Sequence, residues 1–214
     1  MKNLKDIKAF LFDLDGVLID SESEYTKIWN AIEQQFPTGI DNFPIVIKGT
    51  TLEDILSTYF MDKETRKKVE KELYRLEKAM KYTYSPGARQ LLLNLKEKNI
   101  PVALVTSSNS DKMKHLYNDI PEFSSFFDAI IVGEMVEHSK PNPEGYLKAA
   151  ALLGINPEEC VVVEDSLQGI KAGRNSGATV IGIAGTLPEE VLRPEADVLF
   201  NNIQELADYA AASL

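Results

Sequence analysis

Cysteine is all but missing from this chain. Cys160 is the only one, so no internal disulfide can form, which fits a reducing, cytoplasmic compartment. It lies just before Val161-Val162-Val163 and reads as a small buried residue rather than a nucleophile. Positive charge is also short: 23 Lys and Arg stand against 33 Asp and Glu, a net charge of −10. That balance argues against nucleic acid or an anionic membrane as partner, and an anionic substrate would need a local cation. No apolar run approaches the roughly 20 residues of a membrane-spanning helix. The start, Met1-Lys2-Asn3-Leu4-Lys5-Asp6, lacks the apolar stretch of a signal peptide. Internal repeats and low-complexity segments are absent too.

What remains is an ordinary globular composition, 214 residues with 44% hydrophobic and 26% charged. That length suits one good core, or a core domain with a smaller insert. Ala9-Phe10-Leu11-Phe12 runs straight into Asp13-Leu14-Asp15-Gly16. A short apolar run ended by Gly predicts a strand buried on both faces of a parallel sheet. Asp13 and Asp15 then fall just past its C-terminal end, where open α/β sheets bind ligands. Two residues apart on an extended chain, they share a face.

The texture then turns helical. Ser21 with Glu24 has capping-box form, and Tyr25, Ile28, Trp29, Ile32 and Phe36 follow at helical spacing. Pro37, Gly39 and Pro44 break that pattern. Leu52, Ile55, Leu56, Tyr59 and Phe60 predict a second helix with Thr51 as cap, and Val69, Leu73, Leu76 and Met80 a third entered near Asp62. Residues 19–82 thus read as a helical unit inserted into a core formed by 1–18 and 83–214. Ser85, as N-cap before Pro86, predicts the next helix, and Asn99 ends it. Strands follow at Pro101–Val105, Asp128–Val132, Val161–Val163 and Thr179–Ile183, with a short edge strand at Asp197–Phe200. Asn142-Pro143 and Asn156-Pro157 each predict a helix start, and Gly177 a left-handed helix end. Strands alternating with helices give an α/β fold, a doubly wound parallel sheet with an inserted α-helical domain.

The strand ends gather the chemistry. The first ends in Asp13 and Asp15, the second in Thr106 and Ser107, the fourth in Glu164 and Asp165, and Lys140 opens the helix before the fourth. In a parallel sheet these ends share one edge, so one site is expected to hold four carboxylates, hydroxyls and one ammonium. Such a cluster needs a cation, and oxygen ligands with no His or Cys nearby point to Mg²⁺. Mg²⁺ with Lys140 would neutralise a phosphoryl group, whose oxygens Thr106 could hold.

In these motifs the chain resembles the haloacid dehalogenase superfamily of phosphohydrolases: Asp13-Leu14-Asp15-Gly16-Val17, Thr106 after Val102–Val105, Lys140-Pro141, and Glu164-Asp165. Ser166–Gly173 is similar to the helix that follows the fourth motif, and the insert to the helical cap of the branch containing β-phosphoglucomutase and phosphoglycolate phosphatase. The resemblance implies that Asp13 attacks phosphorus and that Asp15 serves as acid and then base. It implies a Mg²⁺ site made of the Asp13 carboxylate, the Asp15 carbonyl, Asp165 and Glu164, the last directly or through water. Thr106 and Lys140 would hold the phosphoryl oxygens. It also implies a cap closing over the site, with hinges near Leu18–Asp20 and Tyr82–Ser85.

Mutases of this branch carry an arginine where this chain has Leu52, a histidine at Tyr25 and a lysine at Asn109, leaving Lys48 as the cap cation. A phosphatase of a small phosphorylated metabolite, such as a sugar phosphate, is therefore favoured over a mutase. Tyr25, Lys48 and Leu52 in the cap, with Ser107 and Asn109 in the core, are the candidate substrate contacts, and a monomer is expected. A receiver-type switch is disfavoured because its adjacent acidic pair follows strand one. A silent binding protein is disfavoured by intact Asp13, Asp15, Lys140 and Asp165.

Overall fold

The computed structural model describes residues 7–47 and 52–214, and the chain divides into two compact units, Met1–Asp20 with Tyr82–Leu214, and Ser21–Lys81. The smaller unit holds helices α1 (Ser21–Gln35), α2 (Phe43–Val46), α3 (Leu52–Tyr59) and α4 (Lys63–Glu77). Its centre is aromatic. The buried Phe43 ring meets Trp29, Tyr59 and Phe60 edge-on, at centroid distances of 5.8, 5.1 and 6.2 Å. Ile28, Ile32, Val69 and Leu73, from the periodic faces of α1 and α4, are buried as well. Asp62 caps α4, its carboxylate accepting from Glu64 N–H and Thr65 N–H at 2.9 Å each.

The larger unit is a six-stranded, wholly parallel sheet, β1 (Ala9–Phe12), β2 (Val102–Val105), β3 (Ala129–Ile131), β4 (Cys160–Glu164), β5 (Thr179–Ile183) and β6 (Val198–Phe200). Its order is β3-β2-β1-β4-β5-β6. Helices α5 (Ala88–Glu97), α6 (Ser110–Asp119), α7 (Glu144–Leu153), α8 (Leu167–Ser176), α9 (Glu189–Leu192) and α10 (Ile203–Ser213) complete it. Every residue of β1, β2 and β4 is buried, as expected of a sheet covered on both faces. Ala9 and Leu11 join a core with Tyr146, Ala149 and Ala150 of α7, while the Phe10 and Phe12 rings stack 5.8 Å apart.

The chain winds outward from β1 through β2 to β3, then crosses back to lay β4 on the other side of β1. Strand order therefore reverses at β1, and such a switch point opens a crevice at the strand ends. Phe12 pairs with both Leu104 and Val163, so the next residues, Asp13, Val105 and Glu164, come level at that edge. The two passages to and from the helical unit are tied to each other inside the core unit. Asp20 N–H donates to Thr83 O at 3.2 Å and Ser85 N–H to Leu18 O at 2.9 Å. Among the described residues no helix is long and apolar enough to cross a membrane.

Several expected boundaries move. Ser85 does not cap α5. The helix starts at Ala88 behind Gly87, whose φ of +89° makes a left-handed turn, and the Ser85 backbone N–H donates to Leu18 O. Pro143 is the cap residue of α7 rather than its first residue, and Asn156-Pro157 opens only a three-residue 3₁₀ turn. Cys160 lies inside β4, fully buried, with its thiol pushed up to about 11 by that burial and by Glu159. Pro44, beyond the end of α1 at Gln35, sits in the first turn of the separate helix α2, where its missing N–H costs nothing. The proposed cap Thr51 lies outside the described residues.

Candidate active site

The edge at the switch point is built from β1 and β4. Asp13 N–H donates to Val163 O at 3.0 Å, so its backbone still follows the sheet and its side chain is held at the edge. Glu164 ends β4 with no solvent exposure at all, and Asp165 follows it, buried. Carboxylate oxygens of Asp13, Glu164 and Asp165 lie within 4.8 Å of one another. Two glycines make room. A Cβ on Gly16 would sit 1.9 Å from Asp165 Oδ2, and one on Gly169 1.7 Å from Glu164 Oε1.

Lys140 enters this group from the loop before α7, across a cis bond to Pro141. Its Nζ donates to Asp13 Oδ1 at 2.5 Å, Glu164 Oε1 at 2.6 Å and Val105 O at 3.2 Å. Burial opposes its charge, but Asp13 and Glu164 outweigh burial and hold the ammonium well above its usual range. Burial dominates at Asp13 in the other direction. Aided by Glu164 and only partly offset by Lys140, it pushes that carboxyl up to about 7. Three carboxyl groups face one ammonium in a site that water barely reaches, an excess of acidic oxygens that a cation would offset. The donors are all oxygen, with no His or Cys in the group, so a small divalent cation such as Mg²⁺ fits both the charge and the ligand chemistry.

Glu164 is held on all sides. Oε1 also accepts from the buried Tyr146 hydroxyl at 2.8 Å, while Oε2 accepts from Ser166 Oγ–H at 3.0 Å and Asp165 N–H at 3.2 Å. Thr106, buried, continues β2 by donating its N–H to Ile131 O at 2.9 Å, and its Oγ1 accepts from Ser108 N–H at 2.9 Å. Thr106, Ser107, Asn109 and Lys140 together line one cavity of about 250 Å³. Asp165 accepts from the Thr186 hydroxyl, a partner that lies in none of the motifs.

Asp15 departs from the expected cluster of four. Its carboxylate is not in the group of three. Lys112 Nζ lies 2.7 Å from both of its oxygens, and Ser108 Oγ–H donates to Oδ2 at 3.0 Å. Among the described residues a second ammonium, from the first turn of α6, thus joins Lys140 near the strand ends. Asn109 caps α6 by accepting from Lys112 N–H at 2.8 Å. That cap is the one signal by which Lys112 could have been found.

The cap candidates fall within the helical unit. Tyr25 and Leu52 line a cavity of about 310 Å³ with Glu22, Trp29, Ile55 and Glu77, and the Tyr25 hydroxyl donates to Glu77 Oε1 at 3.0 Å. Lys48 lies outside the described residues.

Comparison with known proteins agrees with this geometry. Residues 7–177 match the family model described as haloacid dehalogenase-like hydrolase. Over 206 residues the chain is 31% identical to hexitol phosphatase A of Escherichia coli, covering 93% of each chain. It is 27% identical over 218 residues to β-phosphoglucomutase of Bacillus subtilis, covering 93% of this chain and 95% of that one. A crystal structure of a Deinococcus radiodurans family hydrolase with bound phosphate and sodium superposes with a TM-score of 0.81. The two are 26% identical, and the match covers 97% of this chain and 96% of that one. The buried carboxylates, their lysine and the sheet that presents them are those of a chain that belongs to the haloacid dehalogenase-like hydrolases, as a phosphatase of that family.

Proposed function

We propose that the enzyme hydrolyses phosphomonoesters of small metabolites, sugar phosphates above all, with Mg²⁺ and through a phosphorylated Asp13. The observation that carries this reading is the division of labour among carboxylates. Asp13 is buried against Lys140 in a group fit for a cation, whereas Asp15 is paired separately with Lys112. Asp13, Glu164 and Asp165, with the Asp15 carbonyl, would hold Mg²⁺, which when bound offsets the charge of nucleophile and phosphoryl group. Asp13 Oδ attacks phosphorus as the ester P–O bond breaks, and Asp15 gives its proton to the departing oxygen. Water then attacks the phosphoaspartate, Asp15 takes its proton, the Oδ–P bond breaks and phosphate leaves. Lys140 and Thr106 hold phosphoryl oxygens, so that charge developing on them meets a positioned ammonium and hydroxyl.

The helical unit is read as the element of substrate choice. Two carboxylates, Glu22 and Glu77, line the cavity shared by Tyr25 and Leu52. Carboxylate oxygens on that wall suit the hydroxyls of a polyol. A mutase that rebinds a bisphosphate is the second reading, favoured by the B. subtilis relative and by Lys112, a cation beside Asp15. The test is a phosphate-release screen over sugar phosphates, phosphoglycolate, nucleotides and pyrophosphate, with and without EDTA. EDTA-sensitive release from a sugar phosphate is expected. Glucose 6-phosphate forming from β-glucose 1-phosphate, primed with a trace of the 1,6-bisphosphate, faster than free phosphate would favour the mutase instead.

A further inference from the structure

Asp15 stands two residues from Asp13 beside a group of three carboxylates, yet it does not join them. A carboxylate at that position on an extended chain is well placed to be drawn onto a cation bound by its neighbour. Lys112 supplies the opposing pull. The Asn109 cap starts α6 so that Lys112 falls in its first turn. From there the ammonium meets both Asp15 oxygens at 2.7 Å, with the Ser108 hydroxyl on Oδ2 at 3.0 Å. The Lys112 side chain is only 20% exposed. It lies over the Tyr82 ring, 5.9 Å from its centroid, and Tyr82 is itself fixed by its N–H to Asp119 Oδ2 at 2.9 Å, at the far end of α6.

We propose that Lys112, helped by Ser108, is a positioning residue that keeps the Asp15 carboxylate off the cation site and directed to the leaving group. The proposal rests on the reading of Asp15 as acid and base. It predicts a loss that depends on the leaving group. An alkoxide needs a proton as the ester bond breaks; a nitrophenolate scarcely does. Since kcat/KM reports only the steps through departure of the first product, it isolates the acid role from the later hydrolysis.

The test compares wild type, Lys112→Met, Ser108→Ala and Asp15→Asn on an alkyl phosphate and on 4-nitrophenyl phosphate, with Mg²⁺ binding followed by titration calorimetry. In Lys112→Met, kcat/KM for the alkyl ester should fall about 10- to 30-fold, a fraction of the roughly 10²- to 10⁴-fold a general acid supplies, and for the aryl ester less than about threefold. Mg²⁺ should bind at least as tightly as to wild type. Ser108→Ala should show the same selectivity with a smaller loss, and it carries the test if Lys112→Met fails to fold. Equal losses on both esters, no loss, or weaker Mg²⁺ binding would overturn the proposal while leaving the acid role of Asp15 standing. If instead Asp15→Asn keeps its alkyl-ester turnover, the reading of Asp15 itself fails.

Discussion

The two units of this molecule solve opposite problems. The core unit buries charge: Asp13 and Glu164 lie at hydrogen-bond distance from Lys140 with Asp165 beside them, and two glycines open the space they need. The helical unit buries aromatic rings around Phe43 and leaves a cavity with carboxylates on its wall. Buried charges tolerate little displacement, because each lost partner leaves an unpaired ion in a poorly solvated place. An aromatic core with a cavity can exchange side chains at modest cost. The first arrangement suits a fixed reaction, the second a variable choice of substrate.

Breaking the core site should have the larger effects. Asp13→Asn should lower kcat by on the order of 10⁴-fold or more while leaving the fold intact, checked by phosphate release and by the unfolding midpoint. Near-normal turnover would end the Asp13 mechanism. Lys140→Met strips the ammonium from two buried carboxylates. The metal-free protein should lose roughly 3–5 kcal/mol in denaturant unfolding, and added Mg²⁺ should recover part of that.

The third effect is pH-dependent. The Asp13 carboxyl lies at about 7 in the folded protein against 3.8 for an ordinary aspartate. A raised carboxyl favours the fold fully below the lower value, and that contribution is lost as pH rises through the upper one. Mg²⁺ must displace the proton, so its affinity should fall by up to about tenfold per pH unit below 7 and level off above. Calorimetric titration at pH 5.5 and 7.5 checks this, and Asp13→Asn should remove its own share of the dependence.

The smallest effects belong to the helical unit. Tyr25→Phe and Leu52→Ala should change relative kcat/KM among sugar phosphates by about 10-fold or less, with little change on 4-nitrophenyl phosphate. A uniform loss on every substrate would place these residues in the chemistry and erase the contrast between the units.

Much of the fold was legible because its signals are local. The buried strands announce themselves as short apolar runs, and β5 spans the expected Thr179–Ile183. Gly177 ends α8 at a φ of +88°, and Asp62 caps α4. Motif spacing likewise singled out Asp13, Thr106, Lys140, Glu164 and Asp165. Where the reading went astray, a second segment had taken the signal. Ser85 looked like a cap, but the turn at Gly87 starts α5 two residues later, and the Ser85 N–H joins the link to Leu18. Lys112 belongs to no motif, and beyond the Asn109 cap nothing nearby in sequence reveals that helix α6 carries it onto Asp15, 97 residues away.

By itself, then, the sequence determined the alternation of strands and helices and which residue types stand at the strand ends. Those features depend on neighbours a few residues apart, through backbone hydrogen bonding and apolar periodicity. Only the tertiary structure decided how the carboxylates are shared out: Asp13 to Lys140, Glu164 to Lys140 and Tyr146, Asp15 to Lys112 and Ser108. Partnership among like charges is settled by distance and burial, and both are set by segments that meet only when the sheet is assembled.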